Sequence, residues 1–234
     1  NEGSKPPGFV LNLEDEGQRD IFSSVLSSGK LHVARGPLNL SMSDLRCLSS
    51  STLAVWVSQI LSGDVDPLFK RLISGGSCTP LQKDSPSDFR PIVPPDVLYK
   101  FSARVAIRIF GRKIKKVVGP FSTAFLVEGG VSLTACTVKA HLQSYPLDPV
   151  VMTDFSKGYS TVRREALRVQ LEAKLPCLLG IFDSFYSGTN MISFRVDGDL
   201  KCTMMADGLL QGDPLAPAYY SILNSDLREQ FNCS

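Results

Sequence analysis

Asp154 follows the apolar run Val150-Val151-Met152-Thr153 and precedes Phe155-Ser156-Lys157-Gly158-Tyr159. A carboxylate at the end of a strand suits Mg2+ chemistry, because a rigid β element fixes its oxygens and Mg2+ demands near-ideal coordination. Nucleotidyl transfer uses two such ions about 3.5–4 Å apart, held by carboxylates and by substrate phosphates. A surface Asp that merely starts a turn has the same local pattern. Lys83 and Arg90 flank the polar segment 84–88. Arg offers phosphate a planar fork, and Lys offers a point charge on a flexible stem. A solvated turn lysine is the plainer account of Lys83. The run Asp207-Gly208-Leu209-Leu210-Gln211-Gly212-Asp213-Pro214-Leu215-Ala216-Pro217 is the most distinctive stretch of the chain. Glycine lets backbone approach a ligand closely, and Pro214 fits the start of a helix.

Together these blocks resemble the reverse transcriptases of non-LTR retrotransposons, which are RNA-directed DNA polymerases. Residues 208–217 match the motif Gly-x-x-Gln-Gly-Asp-Pro-Leu-x-Pro, and residues 150–159 match the palm motif with its first catalytic Asp. The resemblance implies a right-hand polymerase fold of class α+β, comprising fingers and a partial palm. It implies that Asp154 is catalytic and binds both Mg2+ ions, with the Phe155 carbonyl as a further ligand. Tyr159 becomes the gate whose ring leaves no room for a ribose 2′-OH. Lys83, Arg90, Gln211 and Gly212 become contacts to the incoming deoxynucleotide triphosphate. Gly158 replaces the family's more usual alanine, and Ser160 stands where many members carry Asp or Asn. An RNA template and a DNA primer are the implied partners, and the location is intracellular, nuclear for a eukaryotic element.

One departure is large. The family's third palm motif, aromatic-x-Asp-Asp, supplies the second carboxylate, and no Asp-Asp pair occurs in this chain. The chain is therefore expected to be a fragment that does not polymerise by itself. The alternative is a non-catalytic, nucleic-acid-binding or structural remnant of such an enzyme. A viral RNA-directed RNA polymerase shares the palm but puts an Asp near the 2′-OH, where Tyr159 stands here.

The elements that must position these residues follow from periodicity. Residues 1–75 read as an N-terminal helical region, with helices over 11–28, 41–61 and 66–73 and Trp56 in its core. Residues 76–149 read as fingers, with strands 79–83 and 89–93 joined by a turn. Asp96 then caps a long amphipathic helix over 97–117. Lys100, Arg104, Arg108 and Arg112 recur at four-residue spacing on that helix, and no acid lies between Asp96 and Glu128 to pair with them. Such a row is either a solvated face or a phosphate-binding surface, and Arg104, Arg108 and Arg112 are its nucleic-acid candidates. A helix over 131–142 completes this part. Residues 150–234 read as a partial palm. It comprises a strand over 150–155, helices over 161–173 and 177–186, a hairpin turning at Asp197-Gly198, and a final helix over 215–231.

The bulk numbers set wide bounds. The chain has 234 residues, 43% hydrophobic, with a net charge of +2. That length buries a sizeable core, and the small net charge leaves any nucleic-acid argument to local clusters. No run of 18 apolar residues occurs, so no membrane partner is expected. No apolar leader follows Asn1, and the start without Met reads as part of a longer polyprotein or as a trimmed chain. The six cysteines lie far apart with no C-x-x-C pair, which argues for free, buried thiols rather than zinc ligands or staples.

Overall fold

The computed structural model describes residues 9–29, 36–82, 89–119, 122–123, 125–152 and 154–226. Most helix starts follow short polar caps. Asp15 accepts from the Gln18 amide at 2.8 Å and opens α1 (Glu16–Ser28). Ser41 and Asp44 form a reciprocal capping box at α2 (Met42–Cys47). Ser49 then starts α3 (Ser50–Ser62), so the expected single helix over 41–61 is two. The reason is local. A serine hydroxyl bonding forward to the Thr52 amide competes with helix continuation. Asp66 caps α4 (Pro67–Ile73), and Asp96 caps α5 (Val97–Val118).

The remaining elements are α6 (Gly130–Ser144), α7 (Arg164–Lys174), a 3-10 turn (Pro176–Leu178), α8 (Leu179–Tyr186) and α9 (Ala216–Leu223). Strands β1 (Gly76–Ser77), β4 (Asn190–Val196) and β5 (Asp199–Met205) form one sheet in the order β1-β4-β5. β1 runs parallel to β4, and β5 is antiparallel to it across the Asp197-Gly198 turn. β2 (Thr79–Gln82) and β3 (Phe89–Ile92) form a separate antiparallel ribbon with Leu81 opposite Arg90. The tip between them, including Lys83, lies outside the described residues. The fold class is α+β, as expected.

α5 is the axis of the core. Val97, Leu98, Phe101, Val105, Phe110 and Ile114 are buried, and the rings of Phe22 and Phe101 meet edge to face at 5.3 Å. α3 and α8 approach until their backbones touch. A Cβ on Gly180 would lie 2.2 Å from the Leu61 carbonyl oxygen, so only glycine fits there. Trp56 is only half-buried at the rim of the core, tilted against Phe69.

Two expectations, the strand over 150–155 and the burial of all the cysteines, are corrected. Residues 150–152 and 154–155 form no strand, and Val151 and Met152 are 83% and 90% exposed. Neither sheet offers this run a neighbour, and an extended segment without a partner has no ladder to join. The apolar face of α6 is likewise exposed at Val131, Leu133, Val138 and Leu142. The thiols of Cys47, Cys78, Cys136, Cys177 and Cys202 are free, but Cys47, Cys136 and Cys202 are exposed rather than buried.

Candidate functional site

The ribbon β2-β3 is anchored at its base to the 207–215 turn. The Val93 amide donates to the Gln211 carbonyl at 2.7 Å, and Ile92 bridges Gln211 in parallel register. Gly212 sits at φ 131°, and a Cβ there would lie 2.9 Å from the Val93 carbonyl oxygen. Glycine is therefore required where the turn meets the ribbon.

The same turn grips the segment after Asp154. The Leu209 amide donates to the Tyr159 carbonyl at 2.8 Å, and the Gly208 amide donates to the Val162 carbonyl at 2.8 Å. Gly208 sits at φ 80°, and a Cβ on it would lie 2.7 Å from the Ser160 carbonyl oxygen. Asp207 accepts from the Arg164 amide at 2.7 Å, at the start of α7.

These contacts assemble one cleft of about 860 Å³ from three distant segments. Arg90 comes from the ribbon, Asp154, Phe155 and Tyr159 from the loop before α7, and Gln211 from the turn. Asp154 and Arg90 are exposed, and Tyr159 is half-buried. Burial and the neighbouring Tyr220 and Asp213 raise the Tyr159 phenol above its ordinary pKa, so it stays protonated. Gly212 supports the cleft through backbone packing. The Phe155 carbonyl accepts from the Gly158 amide at 3.2 Å, which leaves one lone pair free. Lys157 also lines the cleft, at φ 54°. Sequence reasoning gave it no role, and nothing beyond its place among the motif residues marked it.

Beneath the cleft lies a buried polar network. Asp213 accepts from the Tyr186 hydroxyl at 2.8 Å and from the Leu215 amide at 2.9 Å. Tyr186 in turn accepts from the Leu210 amide at 3.2 Å. The hydroxyls of Tyr99 and Tyr219 are buried nearby and have no partner in hydrogen-bond geometry among the described residues. Burial raises the Asp213 carboxyl to about 6, against the opposing pull of its hydrogen bonds from Leu215 and Tyr186. Arg164 is buried as well. It donates to the carbonyls of Gly208 at 2.8 Å and Gly188 at 2.7 Å and lies over the Tyr186 ring at 4.8 Å. These contacts tie α7 to the turn and to α8. Arg164 was read in sequence only as part of the helix after the Asp154 block.

The donor set does not fit two Mg2+ ions. Asp154 is the one carboxylate among the residues that line the cleft, and no group of three or more His, Cys, Asp or Glu that could hold a metal occurs among the described residues.

Arg104, Arg108 and Arg112 are exposed on α5, and the structure does not bring them to this cleft. Arg104 and Arg108 line a separate depression of about 300 Å³ with Val25, Ser28 and Ile107. Lys100 departs from the expected basic row. It is 8% exposed, and burial lowers its pKa while Asp96 opposes that shift. A second groove of about 850 Å³ lies along α6, but its lining is apolar apart from Lys139, two threonines and Gln143. It offers no group of cationic or acidic side chains to hold phosphate or metal. No protein-family profile matches the chain, and no curated protein resembles it significantly. No described helix is long and apolar enough to cross a membrane.

Proposed function

We propose that the cleft receives a deoxynucleoside triphosphate, and that the chain is the fingers and partial palm of an RNA-directed DNA polymerase of the non-LTR retrotransposon type. The observation that carries this reading is convergence. Arg90, the Asp154-to-Tyr159 block and Gln211 are far apart in sequence, match three separate motifs, and line one cleft.

In this reading the Arg90 guanidinium forks onto a phosphate, assisted by the mobile charge of Lys157. The Tyr159 ring forms the wall beneath the sugar, and an added 2′-oxygen would meet it. The Gln211 side chain hydrogen-bonds near the sugar, while the backbone carbonyl of Gln211 already accepts from the Val93 amide. Asp154 supplies one negative charge beside the phosphates. Two Mg2+ ions would supply Lewis-acid chemistry in an intact polymerase, but these residues alone do not fit them, so no step is routed through metal. An RNA template and DNA primer would be held by backbone phosphates, with the exposed arginines of α5 as candidates.

The second reading, a nucleic-acid-binding remnant without chemistry, is favoured by that single carboxylate. The test is equilibrium binding of dTTP with Mg2+ to the chain and to Arg90→Ala. Losing a charge-assisted bond of about 2 kcal/mol should weaken binding roughly 30-fold. Equal affinity in the two proteins would remove Arg90 from the site. Absence of dTTP binding, with retained RNA binding, would favour the remnant.

A further inference from the structure

Tyr159 does not stand alone in the cleft. Its ring lies edge-on to the ring of Tyr220 in α9, with centroids 5.3 Å apart and planes at 61°. Tyr220 also presses on the backbone beside the wall. A Cβ added to Gly158 would lie 2.7 Å from the Tyr220 hydroxyl, 3.1 Å from Cζ and 3.3 Å from Cε2. Gly158 is not among the residues at positive φ. Its backbone would therefore accept an L-residue, and Tyr220 is what demands glycine. Tyr220 also borders a cavity of about 260 Å³, shared with Gly158, Val162, Ala166 and Leu223. A displaced Tyr220 ring has space there.

We propose that Tyr220 is a positioning residue for Tyr159. Glycine at 158 and tyrosine at 220 form a matched pair that sets how far the Tyr159 ring reaches into the cleft, and so how strictly a 2′-hydroxyl is excluded. This deepens the nucleotide reading of the cleft and rests on it. A wall that rejects a single oxygen must be held to within about 0.5 Å by its supporting shell. The edge contact with Tyr220 supplies that support, because aromatic rings prefer this T-shaped arrangement. Moving Tyr220 into the neighbouring cavity withdraws it.

The test uses the whole 234-residue chain and three variants: Gly158→Ala, Tyr220→Phe and the double variant. Urea midpoints report the packing, and the ratio of dTTP to UTP affinity with Mg2+ reports the wall. Gly158→Ala should lower both the midpoint and the ratio, the ratio by about tenfold, which is the scale for one group gained or lost in a pocket. Tyr220→Phe should stay near wild type in both. The double variant should recover part of each loss, because removing the hydroxyl abolishes the 2.7 Å contact while those to Cζ and Cε2 remain.

An unchanged ratio in Gly158→Ala, with dTTP still bound, would reduce Tyr220 to packing and overturn the proposal. Equal defects in Gly158→Ala and the double variant would show that the hydroxyl is not what glycine avoids, and would also overturn it. If the wild-type chain binds neither nucleotide, the reading of the cleft falls and this proposal falls with it.

Discussion

Tyr159 and Asp154 stand a few residues apart, yet different physics places them. Tyr159 is fixed by its carbonyl bond to Leu209 and by the Tyr220 ring, so its position is set by packing. Asp154 is exposed and lies in a loop rather than in a strand. Tyr159→Ala should therefore change sugar selection without collapsing triphosphate binding. The UTP-to-dTTP affinity ratio should rise by about tenfold, worth about 1.4 kcal/mol. An unchanged ratio in a folded variant would mean that the wall is another residue. Asp154→Asn keeps the shape and removes one charge. Mg2+-dependent strengthening of dTTP binding should shrink, while binding without Mg2+ should improve slightly as repulsion is lost. A titration of dTTP with and without Mg2+ separates the two effects.

Among the elements, α5 has two unlike sides. One is the core of the molecule, with Val97, Phe101, Val105 and Ile114 buried. The other exposes Arg104, Arg108, Arg112, Lys113, Lys115 and Lys116. None of these six has a salt-bridge partner among the described residues. Charge on that face costs little to reverse structurally, so Glu at positions 104, 108 and 112 should leave the thermal midpoint almost unchanged. RNA affinity should fall, and each lost phosphate contact should lower the slope of log K against log salt by about 0.7–0.9. If affinity and slope both survive the triple change, the arginines are only solvated. The Asp96 cap of this helix is a separate matter. Asp96 is fully buried and accepts from the Leu98 amide at 3.0 Å and the Leu38 amide at 3.1 Å. Asp96→Ala should cost about 1–2 kcal/mol in urea unfolding, since both amides lose their partner.

For the molecule as a whole, Asp213 links stability to pH. It sits where α5, α8 and α9 meet the turn, facing Tyr99, Tyr186 and Tyr219. Its folded pKa, about 6, is raised from 3.8. Between those values the folded protein binds more protons than the unfolded chain. Stability from this group is complete below pH 4 and is lost as pH rises through about 6, a difference of about 3 kcal/mol. Urea midpoints followed from pH 7 to 5 should therefore contain a rising component that Asp213→Asn removes. The same slope in the variant would assign the effect to other groups. One carboxylate in the cleft also sets an expectation for activity. The chain should not extend a primer on an RNA template with deoxynucleotides and Mg2+, and extension that co-purifies with it would contradict the single-carboxylate account.

Much of the secondary structure was legible because its causes are local. Asp96 caps α5 through its own side chain, Asp197-Gly198 turns a hairpin, and the apolar spacing of α5 matches its buried side. The chemistry-bearing residues were legible as types, since Arg90, Asp154, Tyr159 and Gln211 sit in short patterns. Local pattern failed where a neighbour decides the outcome. An apolar run such as residues 150–155 becomes a strand only if another strand lies beside it, and alternation alone cannot supply one. Lys100 looked like one more basic residue in a row, but the rotation of α5 against its neighbours buried it. Gly158 read as a mild change from alanine until α9 brought Tyr220 against it from 62 positions away. The sequence by itself determined which residue types could handle phosphate and where helices such as α4 and α5 begin, because those depend on chemistry within a few bonds. Only the tertiary structure decided that Arg90, Asp154, Tyr159 and Gln211 share a cleft, because that depends on long-range contacts such as Val93 to Gln211 and Leu209 to Tyr159.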